Sequence, residues 1–183
     1  MATIGMAVAR DFEDSEFVIP RDRLQAAGHT VVVLGAAVGE RIKGKRSEQV
    51  AKVDLAVSDA DPADFDALVI PGGYSPDHLR LDPKMVAFVR KFGKGDRLIA
   101  AVCHGPQLLI EADLVSGRRL TSWPSIRKDL EHAGGHWVDA PVCVDGNLIT
   151  SRNPGDLEIF SQAIIDKLAA NGDSVTVNWQ GRA

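Results

Sequence analysis

Short apolar runs alternate along this chain with longer stretches of helical period, and each pattern predicts its own element. Thr3–Ala9 reads as a first strand. Asp14–Ala27 follows as a helix, with Pro20 near its middle as a kink and Gly28 as its stop. The β-branched run Thr30–Leu34 predicts a buried second strand. Residues 39–57 change in character: Gly39, Gly44 and the cluster Lys43, Lys45, Arg46 predict an exposed hairpin, with a strand at Val53–Val57 after it. The short basic cluster reads as a solvated turn rather than a binding patch. Asp61–Phe65 is a turn or one helical turn, and Ala67–Ile70 is a short buried strand ending in Pro71-Gly72-Gly73. Asp82–Lys91 is an amphipathic helix, capped by Asp82 and started by Pro83. Leu98–Val102 predicts a strand running directly into Cys103-His104-Gly105-Pro106, and Gln107–Ala112 continues as a helix. Ser125–Ala133 is a further helix, closed by Gly134-Gly135. Val142–Val144 and Leu148–Ser151 flank Asp145-Gly146-Asn147, a hairpin signal. Pro154–Ala170 is the last long helix. The tail Asp173–Ala183, where Val175, Val177 and Trp179 alternate, is expected as an edge strand or an interface. The alternation as a whole predicts an α/β fold on a doubly wound parallel sheet.

Composition narrows the picture. A chain of 183 residues, 45% of them hydrophobic, suits one domain with a buried core, here residues 1–172 with 173–183 as a tail. The formal charge is −4 with acids and bases interspersed, which gives no footprint for nucleic acid or an anionic membrane surface. Runs such as Leu98–Cys103 and Val31–Val38 are too short to span a bilayer. No basic, apolar and cleavage-site segments follow one another at the start, so a cytoplasmic location is expected. Cys103 and Cys143 stand in different contexts, outside any CxxC or Cys/His cluster, so neither a structural metal nor a disulfide is expected.

The junction Leu98–Pro106 carries the chemistry. A cysteine at the end of a buried strand, with glycine two residues later, has the layout of a nucleophile elbow. The helix after it directs amide N–H groups and its positive end at the sulfur, favouring thiolate. Against this stands the reading of Cys103 as a small buried hydrophobe; Cys143, within Pro141–Val144, is read as strand packing. Gly72 and Gly73, ending a strand beside that of Cys103, leave amides bare for an oxygen that gains charge. Asp11-Phe12-Glu13-Asp14 follows the first strand at the same sheet edge. A carboxyl there can bond the sulfur and shuttle a proton. Spacing leaves Glu13 and Asp11 equal candidates, with Asp14 as helix cap.

Taken in order, several segments resemble the ThiJ/PfpI superfamily, specifically its PfpI intracellular-protease branch. They are Phe12-Glu13-Asp14, Ala67–Gly73, Ala101–Gln107, Gly117–Ser122 and Val144–Arg152. The resemblance runs from about Thr3 to Leu168. It implies a flavodoxin-like α/β/α sandwich with a mostly parallel sheet, no cofactor, and homo-oligomers that are dimers, dimers of dimers or hexamers. It implies Cys103 as nucleophile, His104 beside it, Glu13 as the acid on the sulfur, and backbone amides of Gly73 and His104 as an oxyanion pocket. In protease-type members a carboxylate from a neighbouring subunit completes a Cys-His-acid set. Here that position is Asp77, one methylene shorter than the family's usual Glu, which weakens the peptidase reading. His104 can otherwise cap or stack at an interface, and Asp77 can be a turn carboxylate.

Three functions compete. One is a stress-response enzyme acting on small reactive carbonyls, of glyoxalase or deglycase type, in which Cys103 adds to an α-oxoaldehyde or its amine adducts and Glu13 moves the proton. Another is a cysteine peptidase or amidase leaning on His104 and Asp77. The third is a redox sensor working through oxidation of Cys103. A glutamine amidotransferase needs a later His-x-Glu pair; His132 and His136 are followed by Ala133-Gly134 and Trp137-Val138 instead.

Overall fold

The computed structural model describes residues 1–173. The strands are β1 (Thr3–Ala7), β2 (Thr30–Gly35), β3 (Arg41–Lys43), β4 (Val50–Lys52), β5 (Leu55–Ala56), β6 (Ala67–Ile70), β7 (Leu98–Val102), β8 (Arg119–Leu120), β9 (His136–Trp137), β10 (Val142–Asp145) and β11 (Leu148–Ser151). The helices are α1 (Asp14–Ala26), α2 (Ser75–Leu79), α3 (Pro83–Gly93), α4 (Pro106–Glu111), α5 (Arg127–His132) and α6 (Leu157–Asp173). Seven strands form one sheet in the order β10-β11-β7-β6-β1-β2-β5. Every pairing is parallel except the hairpin β10–β11 at one edge. This is the mostly parallel, flavodoxin-like sandwich that the family resemblance implies.

Both faces of the sheet are buried, and strand periodicity decides which side chain serves which core. Leu68, Ile70, Ile99 and Ala101 point into a layer filled by Met85, Val89, Phe92, Leu108 and Leu109 from α3 and α4. Ala67, Val69, Leu98, Ala100 and Val102 point the other way, against Phe17 and Leu24 of α1 and Phe160 and Ile164 of α6. The β3–β4 hairpin lies where the glycines predict it, and Ile42 and Ala51 pack it into the α1 side.

Several details differ from the expectation. The strand at Val53–Val57 shortens to Leu55–Ala56, and α5 starts after a 3₁₀ turn at Pro124–Ile126. The helix α2 and the two-residue pair β8–β9 carry no sequence signal long enough to see. Asp14 is not the cap of α1. Glu13 holds that position, and Asp14 is the first helical residue. The expected edge strand beyond Asp173 lies outside the described residues.

From β1 the chain moves outward through β2 to β5, then returns beside β1 at β6 and proceeds through β7 to β11. The reversal places a topological switch point between β1 and β6. Open α/β sheets bind ligands at the carboxyl ends of strands around such a point.

Candidate active site

Cys103 leaves the end of β7 at φ 61°, a left-handed conformation that costs a non-glycine residue energy. Its backbone is pinned on both sides: its N–H donates to Ser151 O (3.0 Å), and its carbonyl accepts from Trp123 N (3.0 Å). The turn is tight enough that a Cβ at Gly105 would stand 2.5 Å from Ile70 O. Pro106 then begins α4, where its missing N–H costs nothing. The sulfur emerges at the carboxyl edge of the sheet, in a residue only 8% exposed, and receives the amide N–H groups of Gly73 and His104.

The carboxyl group on that sulfur belongs to Glu16, not to Glu13. Glu16 sits in the first turn of α1, fully buried. Its Oε2 accepts the Gly72 N–H at 2.8 Å, and its side chain hydrogen-bonds Cys103. Oε1 has no hydrogen-bond partner among the described residues. Burial, only partly offset by the Gly72 amide and Cys103, pushes its pKa up to about 8, so the group is protonated at neutral pH. Burial first, then the charge of an ionised Glu16, push the Cys103 thiol up, while the Gly73 and His104 amides favour the anion. The two groups are therefore coupled: a proton on Glu16 removes the electrostatic opposition to ionising the sulfur. Gly72 makes the contact possible. A Cβ there would lie 2.6 Å from Glu16 Oε2 and 2.8 Å from Cys103 Cβ.

Glu13 is also buried but faces the β3–β4 hairpin. It forms an ion pair with Lys45, stands 3.9 Å from Arg46 Nη2, and accepts from Ser15 Oγ at 3.4 Å. Asp14 fixes the hairpin tip, accepting from Arg46 N (3.0 Å) and Gln49 N (2.8 Å). Lys45 and Arg46 are exposed, as a solvated turn predicts, and both also line the site. Asp11, the other candidate, is turned away toward His78 (3.4 Å). Its carbonyl accepts Tyr74 N, and its own φ is 61°.

His104 brings Nδ1 to 3.3 Å from the Cys103 sulfur and Nε2 to 3.3 Å from Ser125 Oγ. Burial and the positive charge of Lys45 lower its pKa, which keeps the imidazole neutral. Asp77 is exposed on α2. Within one chain the imidazole thus meets a hydroxyl where a triad needs a carboxylate. Gly73, at φ 73°, is jammed against the backbone of Asp11–Glu13, where a Cβ would meet Asp11 O and Glu13 N at 2.5 Å. These groups enclose a cleft of about 380 Å³, with Cys103, Glu16 and Gly73 at its base and Tyr74, Trp123 and Pro154 as apolar walls.

Sequence reading brought together Cys103, His104, Gly72 and Gly73, and missed Glu16, Lys45 and Arg46. A signal for Glu16 was present. It was weak, because Glu16 flanks the apolar positions Phe17, Pro20 and Leu24 but Glu13 shares that side of the helix. Both cysteines are free, and Cys143 packs in β10 with its sulfur 3.5 Å from Arg119 O.

Comparison with known proteins bears on the family and the fold. The model of the DJ-1/PfpI family matches residues 2–167. A Bacillus subtilis protein named "Putative cysteine protease YraA" is 44% identical over 165 residues, covering 90% of this chain and 97% of that protein. The Staphylococcus aureus protein SAV1875 is 44% identical over 167 residues, with the same coverage. A two-domain protein of Anabaena variabilis, with DJ-1/ThiJ/PfpI-like and ferritin-like domains, superposes with a TM-score of 0.91 at 45% identity. The match covers 92% of this chain and 48% of that one, so this chain spans about half its length. Drosophila melanogaster DJ-1beta superposes with a TM-score of 0.84 at 34% identity, covering 91% and 90% of the two chains. With the family pattern running through nearly all of the described fold, the chain belongs to the DJ-1/PfpI family.

Proposed function

We propose that this protein is a cysteine-dependent enzyme that converts small reactive carbonyls, α-oxoaldehydes such as methylglyoxal or their early adducts on amines, into hydroxy acids. The observation that carries this reading is the protonatable Glu16 carboxyl held against the Cys103 sulfur at the base of a small cleft. The Cys103 S–H bond breaks as the sulfur adds to the aldehyde carbon, and that proton passes to the carbonyl oxygen to give a hemithioacetal, while Glu16 releases its own proton to water and becomes the base. Glu16, once deprotonated, removes the hydrogen from that carbon, giving an enediol, and returns a proton to the neighbouring carbon. The product is a thioester of the hydroxy acid. Water attacks it, the acid leaves, and the sulfur is restored. The Gly73 and His104 amides, which reach the sulfur, are the donors proposed for the oxygen that carries charge in the addition and hydrolysis steps. Glu16 takes the role that the family resemblance implies for Glu13.

A second reading, peptidase or amidase action, draws on the 3.3 Å approach of His104 Nδ1 to the sulfur and on the name of the Bacillus relative. It needs a carboxylate on Nε2, which the partner subunit's Asp77 would have to supply. The test compares purified wild type, Cys103→Ala, Glu16→Gln and His104→Ala on methylglyoxal and on a fluorogenic peptide. Consumption of methylglyoxal is expected to vanish in Cys103→Ala and to fall about 10²–10⁴-fold in Glu16→Gln. Equal consumption by Cys103→Ala would overturn the carbonyl reading. Peptide cleavage abolished by His104→Ala, with methylglyoxal untouched by wild type, would establish the second.

A further inference from the structure

The cleft is not electrically neutral along its length. Cys103, Glu16 and Gly73 form its base, Tyr74, Trp123 and Pro154 its apolar sides, and Lys45 and Arg46 stand together at the hairpin side. We infer that this cationic edge is a subsite for a carboxylate carried by the substrate, so that the enzyme favours carbonyl compounds bearing a carboxylate one or two carbons from the carbon that Cys103 attacks. The inference rests on the carbonyl reading for its substrate class; the cationic edge itself does not.

Hydrogen-bond capacity supports it. Lys45 engages Glu13, yet an ammonium has three N–H donors, and one carboxylate does not exhaust them. Arg46 comes no nearer to a carboxylate than 3.9 Å, beyond hydrogen-bonding distance, and its side chain is 62% exposed. Among the described residues its guanidinium donates no hydrogen bond, so the fork is available to an incoming carboxylate in bidentate geometry. Two cations stand beside two buried carboxylates, Glu13 and Asp14; Asp14 is held by the backbone N–H groups of Arg46 and Gln49, so the Arg46 guanidinium itself is left for a ligand. Lys45 is also close enough for its charge to act on Cys103, Glu16 and His104, so an anion held there lies next to the reacting sulfur.

The edge is preorganised by the backbone. Lys45 N donates to Phe12 O (2.8 Å), Arg46 N to Asp14 Oδ2 (3.0 Å), and Gly44 N to Gln49 O (3.0 Å). A Cβ at Gly44 would collide with the Asp14 carboxyl at 2.3–2.7 Å, so the hairpin tip is fixed in place. Binding a carboxylate here needs rotation of the Lys45 and Arg46 side chains and no refolding.

Two alkylating reagents of nearly the same shape test this without assuming any turnover. Iodoacetate carries a carboxylate one carbon from its electrophilic centre, and iodoacetamide is its neutral counterpart. In both, a sulfur–carbon bond forms as iodide leaves. The rate ratio of iodoacetate to iodoacetamide at Cys103, measured by mass spectrometry in a Cys143→Ala background, is expected to exceed that of a free small thiol by about tenfold. Arg46→Ala should lower the ratio, and Glu13→Gln, which removes the competing carboxylate, should raise it. Raised salt should shrink the difference. A ratio equal to the free thiol's, or unmoved by both substitutions, would overturn the inference even if methylglyoxal is consumed. A ratio that responds as expected would sustain the subsite even if methylglyoxal is not. A Cys103 inert to both reagents would sink the subsite and the nucleophile reading together.

Discussion

At Cys103 and Glu16 the chemistry depends on two side chains that each sit where they are energetically costly. The left-handed backbone at Cys103 should be relieved by glycine, so Cys103→Gly is expected to be about 1 kcal/mol more stable than Cys103→Ala in urea denaturation. An equal or lower stability would show that the surrounding hydrogen bonds, not the cysteine conformation, dominate there. Glu16 has a sign that can be worked out. Its folded pKa of about 8 lies above the ordinary 4.5, so the native state holds the proton more tightly than the unfolded chain does. Its contribution is complete below about pH 4.5 and is lost as the pH climbs through about 8, with an upper bound of roughly 5 kcal/mol. Glu16→Gln should therefore flatten the fall in unfolding free energy between pH 5 and pH 8.5. If wild type and Glu16→Gln lose stability in parallel over that range, Glu16 is not held protonated by the fold. Position 72 is as strict: Gly72→Ala puts a methyl between Glu16 and Cys103, and an overpacking cost of about 1–3 kcal/mol is expected in thermal melts.

Among the elements, the hairpin β3–β4 matters most, because Asp14 of α1 and the Lys45–Glu13 pair fasten it over the site. Asp14→Ala removes the acceptor of two backbone N–H groups. It should cost about 1–3 kcal/mol and speed amide hydrogen exchange at Arg46 and Gln49 while leaving β7 protected. Unchanged exchange at the hairpin would mean that Ile42 and Ala51 packing alone holds it. Element boundaries were legible wherever a breaker or cap is local in sequence. Asp82 caps α3 by accepting from Lys84 N, and Gly146, at φ 58°, closes the β10–β11 turn. The helix α2 was not legible, since five residues starting after Gly73-Tyr74 carry less than two turns of periodicity. The basic residues are exposed, as read, but a charge run has no direction in sequence, and only the fold shows that Lys45 pairs with a buried carboxylate.

For the molecule as a whole, the seven-stranded sheet and its two cores bring β1, β6 and β7 side by side and so gather the loops that hold the site. No helix among the described residues is long and apolar enough to cross a membrane. Tyr74 (67% exposed) and Trp123 (41%) stand at the cleft mouth, and Asp77 faces outward near it, so assembly is where the peptidase reading is decided. If the partner subunit's Asp77 completes a triad, Asp77→Ala should reduce peptide hydrolysis at least about tenfold more than methylglyoxal consumption, with oligomer size followed by light scattering. A uniform effect on both substrates would argue against such a triad. By itself the sequence determined the alternation of strands and helices, the cysteine at a strand end and the glycine pair beside it, because each is written in residues adjacent along the chain; the fold decided that the Gly72 N–H goes to Glu16 and does not stand bare for an oxyanion. Only the tertiary structure decided that Glu16 and not Glu13 meets the sulfur. Both follow β1, and the choice depends on where α1 begins: Glu13 falls at the cap and faces the hairpin, and Glu16 falls one turn in, facing the core across which Gly72 and Cys103 approach.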